Sequence, residues 1–249
     1  MSILKKMFLL ELMFVFIWLC AGCTGNPAMK EEPPDIQLAK KWFYQEGRTM
    51  LVDFYQNYTD RIPSDAAGFL PDITVSKLEK AELGRPLRVW LLKQAQESWQ
   101  IEFSAEEEII EQIVFENMYL FPVVADGKRA ADYQVSVENG QITGASCGLG
   151  ISRYAYEAAD LNGLDIEECY LIAAPGEILF PFSREKGREI CSGELRINPK
   201  PDLTMNESHV KAFKTRATEY NRKVQIQNEE PNINQPGEIA PMGKAPPRF

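Results

Sequence analysis

Residues 144–148 read Gly-Ala-Ser-Cys-Gly and place two nucleophilic side chains, Ser146 and Cys147, between glycines. A serine or cysteine at a sharp turn between a strand and a helix can attack a carbonyl carbon when a histidine removes its proton. The chain has a single histidine, His209. Three aspartates lie between the two positions: Asp160, Asp165 and Asp202. A carboxylate that orients the histidine completes such a site, so these residue types predict acyl transfer as one candidate chemistry.

The spacing matches the nucleophile elbow of α/β-hydrolases, but the neighbouring elements do not favour that fold. The elbow needs a mostly parallel sheet of alternating strands and helices. Tight turns at Asp126-Gly127 and Asn139-Gly140 predict antiparallel hairpins just before Ser146 instead. Cys147 needs a basic neighbour to lower its pKa, and no motif places His209 beside it. The alternative interpretation is that these glycines end a strand and begin the next helix.

Metal, cofactor and nucleic-acid chemistry lack their usual residues in this sequence. The chain has one histidine, and Cys147, Cys169 and Cys191 form no C-x-x-C pair, which argues against a zinc site. No phosphate-binding loop or dinucleotide fingerprint occurs. With 36 acidic and 27 basic residues, the net charge is −9. We therefore predict no metal, no cofactor and no nucleic-acid partner.

The first 23 residues predict export and a lipid anchor. Two lysines near the N-terminus precede a run of apolar residues, which is the layout of an export signal. Residues 19–23, Leu-Cys-Ala-Gly-Cys, resemble the lipobox of bacterial lipoproteins. The resemblance implies that residues 1–22 are removed and that Cys23 carries lipid, palmitate included, on the extracytoplasmic face of a bacterial cell membrane. An uncleaved anchor helix is the alternative, but the apolar run is short for a span and contains Glu11.

Composition divides the chain into four predicted segments. These are a signal peptide at 1–22, a flexible tether at 23–34, a globular region at 35–227 and a disordered tail at 228–249. The tether and the tail are polar and proline-rich, so they offer little apolar surface to bury. The acidic globular region repels anionic headgroups, so membrane contact is expected through the lipid on Cys23.

Three helices are predicted from apolar periodicity. From Asp35 to Tyr58, apolar residues recur at three- and four-residue steps, with Gly47 as a weak point. Further helices are predicted at Ile151–Leu161 and Glu207–Val224. A capping box that begins at Ser104 predicts a short additional helix through Phe115.

Turn chemistry predicts most of the strands. Type I′ turns at Asp126-Gly127 and Asn139-Gly140 predict three antiparallel strands between Tyr119 and Ser146. Other strands are predicted at Ile73–Leu78, Leu87–Leu92, a Cys169–Phe182 hairpin turning at Pro175-Gly176, and Arg188–Ile197. The predicted fold class is α+β, with an N-terminal amphipathic helix on an antiparallel, hairpin-rich sheet and further helices in the second half.

The sequence Leu-Phe-Pro occurs twice, at 120–122 and 179–181. Proline removes a ladder donor, so both strands are expected at sheet edges or bulged there. The repeat also raises the alternative of two similar subdomains with a boundary near residue 150. The predicted strand order sets Cys169 and Cys191 two strands apart, which is too far for a disulfide between them.

The first half of the globular region resembles small secreted bacterial cystatin-like modules and propeptides. The resemblance covers Asp35–Ser146 and rests on a long helix, Gly84-Arg85-Pro86 before a strand, and a proline-bearing strand that leads into Asp126-Gly127. It implies binding or inhibition of a partner rather than catalysis.

Three functional hypotheses follow. The first is a lipoprotein, anchored by Cys23, whose globular region is a binding or protein-interaction module. The second is a hydrolase that uses Ser146 or Cys147 with His209. The third is an inhibitor or chaperone partner of a secreted protein.

Overall fold

A computed structural model of the chain describes residues 32–58, 70, 72–94, 100–174, 178–195 and 200–229. These residues form an eight-stranded mixed sheet with helices packed on it, which confirms the predicted α+β class. The predicted signal peptide, Cys23, the tether up to residue 31 and the tail from residue 230 lie outside the described residues.

The predicted N-terminal amphipathic helix is present in three continuous segments. They are α1 (Pro34–Trp42), a π-helical turn (Phe43–Gly47) and α2 (Arg48–Tyr58), together called the N-terminal helix. Phe43 and Leu51 are fully buried on its apolar face. A Cβ atom on Gly47 would lie 2.7 Å from Cδ2 of Phe43, so the π turn occurs where only glycine fits this packing.

The remaining elements follow in chain order. The helices are α3 (Val75–Leu78), α4 (Ser152–Leu161) and α5 (Glu207–Glu229). The strands are β1 (Glu82–Leu83), β2 (Leu87–Leu92), β3 (Ile113–Ala125), β4 (Lys128–Glu138), β5 (Gln141–Gly148), β6 (Tyr170–Ala174), β7 (Ile178–Glu185) and β8 (Arg188–Cys191). Helix α5 extends past its predicted end at Val224 and includes Asn228 and Glu229, with which the predicted tail begins.

The sheet has the order β5-β4-β3-β2-β6-β7-β8, and β1 pairs with β3. Every pair is antiparallel except β2 with β6. This parallel pair was not predicted, because nothing local in the sequence specifies a long crossover connection. It joins both halves of the chain into one sheet across the position near residue 150.

The β3-β4-β5 hairpins are confirmed. Asp126 and Gly127 have φ of 53° and 71°, and Asn139 and Gly140 have φ of 50° and 72°. Positive φ at both central positions is the type I′ geometry that matches the twist of the flanking strands.

The second hairpin is also confirmed, with a different register. Strands β6 and β7 are antiparallel, and Tyr170 rather than Cys169 pairs with Phe182. The predicted turn at Pro175-Gly176 lies outside the described residues. Strand β8 pairs with the far side of β7, as predicted, and Cys169 and Cys191 are free thiols.

Two local predictions were wrong. Within Ile73–Leu78, residues Val75–Leu78 form the short helix α3 rather than a strand, because Leu78 is buried in the core beside the N-terminal helix while Val75 stays exposed. The capping box at Ser104 does not begin a helix, and the predicted span to Phe115 contains one 3-10 turn, Ile109–Gln112, before β3. The Gln112 side chain accepts from the Ser104 N–H and donates to its carbonyl, so Ser104 closes a loop before β3.

Neither Leu-Phe-Pro segment lies at a sheet edge. Pro122 is in interior strand β3, where its carbonyl accepts from Gly84 N–H at the gap between β1 and β2. Pro181 is in interior strand β7, and its carbonyl accepts from Ser192 N–H just beyond the end of β8. Each proline therefore lies where the neighbouring strand is interrupted, so the N–H that proline lacks would face a break in the ladder.

Two helices cover one face of the sheet and α4 covers the other. The N-terminal helix packs on β3, β4 and β5 around Phe121 and Tyr133, whereas α5 packs on β6, β7 and β8 around Phe182. On the opposite face, α4 packs on Leu120 and Leu171. Within the described residues, no helix is long and apolar enough to cross a membrane.

Candidate functional site

The structure does not bring the predicted hydrolase residues together. Ser146 and Cys147 lie on β5, at one edge of the sheet. His209 lies in the first turn of α5, against the carbonyl of Cys191 at the end of β8, the opposite edge. Five strands separate β5 from β8, which corresponds to roughly 29 Å. The prediction that His209 removes a proton from Ser146 or Cys147 is therefore wrong.

Cys147 is also unsuited to nucleophilic attack by its surroundings. Its side chain points under the N-terminal helix, with Sγ 4.0 Å from the carbonyl oxygen of Gly47. Burial raises the pKa of the Cys147 thiol to about 12, so the thiol is protonated at neutral pH. Ser146 is exposed on the other face of the strand.

His209 fastens the start of α5 to the sheet. Its backbone N–H donates to Oδ1 of Asn206 at 3.0 Å, and its Nδ1 lies 3.1 Å from the Thr204 carbonyl oxygen. Asn206 in turn pairs with Cys191 through backbone hydrogen bonds. Of the predicted carboxylates, Asp202 approaches His209, at 3.6 Å from Nε2. These contacts cap the N-terminus of α5 and hold it against the end of β8, so His209 has a structural role.

One buried carboxylate lies on the face covered by α4. Asp132 of β4 is 3% exposed and accepts hydrogen bonds from the backbone N–H of Ser152, at 2.8 Å, and from the Ser152 hydroxyl. Burial raises the pKa of Asp132 to about 7, although the hydrogen bonds from Ser152 oppose the shift. Because Ser152 begins α4, Asp132 serves as a cap for that helix supplied by another element.

A group of three partly buried aromatic side chains lies at the centre of the sheet. Trp90 of β2, Phe115 of β3 and Tyr170 of β6 are half-buried and project from the same face. The Trp90 ring centroid is 5.4 Å from that of Phe115 and 5.4 Å from that of Tyr170. We call these three residues the aromatic patch.

Strand register places these rings together. Trp90 pairs with Phe115 across β2 and β3, and the parallel β2–β6 pair sets β6 beside them. Between Val89 and Trp90 the register shifts, with Asn117 at a φ of 51°, so β3 bulges beside the patch. Such bulges re-aim side chains and recur next to binding sites.

The patch lies between the two helices that share its face. On one side, Phe115 contacts the buried ring of Tyr119, with centroids 5.4 Å apart, and Tyr119 packs under the N-terminal helix. On the other side, Trp90 and Tyr170 border the cluster under α5. The sheet is thus covered by helices to either side, while the patch remains partly open.

A cation stands at the border of the patch. Arg88 is exposed, and its guanidinium lies 5.4 Å from the centroid of the Phe115 ring. Across the part of the chain that the structure describes, Arg88 forms no ion pair. Its donors are therefore available to a carboxylate, while the three rings offer apolar and π surface.

Sequence reasoning missed this site, although one signal was present. In β2, Leu87 and Val89 are buried whereas Arg88 and Trp90 point to the other face. This alternation predicts an arginine and a tryptophan on one surface. Nothing in the sequence pairs that surface with Tyr170, because the pairing depends on the unpredicted parallel strand.

Comparison with protein-family models, curated proteins and solved structures yields no match, so the residues themselves carry the functional argument. In the described ranges, no group of three or more His, Cys, Asp or Glu side chains is arranged to hold a metal ion.

Proposed function

We propose that this chain is a bacterial lipoprotein, anchored through Cys23 on the extracytoplasmic face of the membrane, whose globular region binds a partner protein at the aromatic patch. The observation that carries the binding role is the three-ring surface of Trp90, Phe115 and Tyr170, bordered by the exposed guanidinium of Arg88.

The composition of the patch supports protein recognition. Tryptophan, tyrosine, phenylalanine and arginine are the residues enriched in protein interfaces, and tryptophan, tyrosine and arginine dominate their binding energy. A partner that covers these partly buried rings would remove their remaining apolar surface from water. The complementary partner is a segment with an apolar side chain for the rings and a carboxylate for Arg88. Inhibiting or chaperoning a secreted protein are two uses of such a surface.

The proposed anchor follows from the charge of the chain as well as from the sequence around Cys23. A protein with a net charge of −9 is repelled by anionic headgroups. Acyl chains supply the affinity that the protein surface does not, at about 0.8 kcal/mol for each buried CH₂ group.

Affinity capture from solubilised membranes tests the binding role. We expect the wild-type chain to retain a partner and Arg88→Glu to lose it by at least tenfold, because charge reversal repels the partner carboxylate. Arg88 is exposed, so this change leaves the core intact. The matched control is Leu161→Ala, which removes an exposed apolar side chain from α4 on the other face of the sheet. Recovery of the same proteins by the wild type and by Arg88→Glu would contradict the assignment.

A further inference from the structure

The two edges of the sheet are built differently. Strand β8 has four residues, including Arg188 and Glu189, and its end is covered by the backbone pairing of Cys191 with Asn206. Strand β5 has eight residues, Gln141–Gly148, with no charged side chain. Among the described strands, none pairs with the outer side of β5.

An open edge of this kind is unusual in a soluble domain. Every second residue of β5 directs its N–H and C=O away from β4, where they can pair with another strand. Natural edges are commonly protected by charges, prolines, short length or bulges, and of these β5 has only a single bulge. Its one irregularity is the extra residue Thr143, between the partners of Ser136 and Val137.

Two glycines in β5 lie at its irregular positions: Gly144 follows the bulged residue Thr143, and Gly148 ends the strand. Neither has positive φ, and a Cβ atom on either would meet no atom within 4 Å. Glycine weakens a strand, so pairing along the outer edge would stabilise β5.

We propose that β5 pairs with the β5 strand of a second copy of this chain. The pairing is antiparallel about a two-fold axis, and it joins two eight-stranded sheets into one. Because the strand is uncharged, self-pairing places no like charges opposite each other, despite the net charge of −9.

The blocked edge at β8 determines where assembly stops. A strand that pairs with its own copy uses up the β5 edge of both protomers, and the remaining β8 edges are four residues long, carry charges and end in the pairing of Cys191 with Asn206. The assembly therefore closes at two chains rather than extending into a filament.

The N-terminal helix adds surface to this contact. It packs on β5 through Gly47, which lies above Cys147. In a two-fold pair, both N-terminal helices stand on the same face, one on each side of the paired strands. Their side chains contribute area beyond the eight-residue strand pair, toward the 1,200 Å² or so that a stable interface buries. The aromatic patch, on β2, β3 and β6, stays uncovered.

Native mass spectrometry of the full chain in mild detergent tests the proposal. We expect the wild type at twice the protomer mass and Gly144→Lys at the protomer mass. The substitution places one lysine from each protomer at the β5–β5 contact, where the two positive charges repel each other. The matched control, Thr218→Lys, adds the same charge at an exposed position of α5 and should remain dimeric. A monomeric wild type, or a dimeric Gly144→Lys, overturns the proposal.

Hydrogen exchange of the wild type gives a second test that needs no variant. The outward-facing amides of β5, on every second residue of Gln141–Gly148, should lose protection on dilution, in step with loss of the dimer, while those that pair with β4 keep theirs. If the dimer dissociates and hydrogen exchange in β5 stays the same, the proposed pairing is wrong. Recovery of a different protein bound along β5 would also overturn it.

Discussion

Asp132 and Arg88 are two ionisable residues whose surroundings give them different roles, one within the protein and one toward a second molecule. Asp132 is enclosed and accepts hydrogen bonds from Ser152, so its side chain caps α4 within the protein. Arg88 is exposed beside an aromatic ring with its donors open, so it can act on a second molecule. The sequence distinguishes Arg88 from a core position by strand alternation. It gives no local sign of the burial of Asp132, because α4 packs back on β4 only in the tertiary fold.

Asp132 makes stability depend on pH. Its pKa is raised from 3.8 to about 7 in the folded protein, so between these values the folded state holds a proton that the unfolded state has released. The free energy of unfolding should therefore fall as pH rises from about 4 to 7, by up to roughly 4 kcal/mol from this group. Asp132→Asn keeps a hydrogen-bonding side chain and removes the titration, so its urea unfolding should lack this decline.

The titratable groups around Asp132 are Arg129 on the same strand, Cys147 on β5 and Tyr156 on α4. These remain in Asp132→Asn and provide an internal reference. Asp126→Asn, in the exposed first hairpin turn, is the control and should retain the wild-type decline. Equal pH dependence in the wild type and in Asp132→Asn would refute the assignment.

At the scale of elements, the confirmed predictions rested on patterns within short stretches of sequence. The periodicity of residues 35–58 gave the N-terminal helix, and two Asx-Gly turns gave the β3-β4-β5 hairpins. Elements specified by distant contacts were not found. Burial of Leu78 converts a strand-like segment into α3, and the β2–β6 pair joins segments about 80 residues apart. The aromatic patch depends on that pair, so it could not be predicted from the sequence.

The π turn of the N-terminal helix should make Gly47 intolerant of substitution. In Gly47→Ala, the new methyl group meets the fully buried ring of Phe43 at 2.7 Å. We expect a loss of about 1–3 kcal/mol in the free energy of unfolding, as for other overpacked cores, despite the higher helix propensity of alanine. Gly144→Ala, where the methyl group meets nothing, should cost no stability. Urea unfolding of both variants decides this, and equal stability of the two would count against the π-turn packing.

At the scale of the whole molecule, the chain combines a proposed lipid anchor with a proposed binding domain. Cys23 lies outside the described residues, so the anchor stays a prediction from the lipobox-like segment at residues 19–23. The sheet presents the aromatic patch on one face and an open edge at β5. The proposed anchor would place both surfaces at the membrane.

Detergent-phase partitioning tests the anchor. Cys23→Ala should move the protein from the detergent phase to the aqueous phase, because the acyl chains that stabilise membrane association are lost. Cys20→Ala is the matched control, since it changes a cysteine in the same segment and leaves the attachment site. Unchanged partitioning of Cys23→Ala would show that the chain is held in another way.

Photo-crosslinking in intact cells tests the central claim, that the aromatic patch binds a partner protein. A photoreactive phenylalanine analogue at Phe115 conserves the ring and lies within the patch, whereas the same analogue at Leu161 lies on the opposite face. We predict one discrete protein adduct from position 115, lost in the presence of Arg88→Glu, and none from position 161. The absence of an adduct at 115, or the same adduct from both positions, would contradict the account.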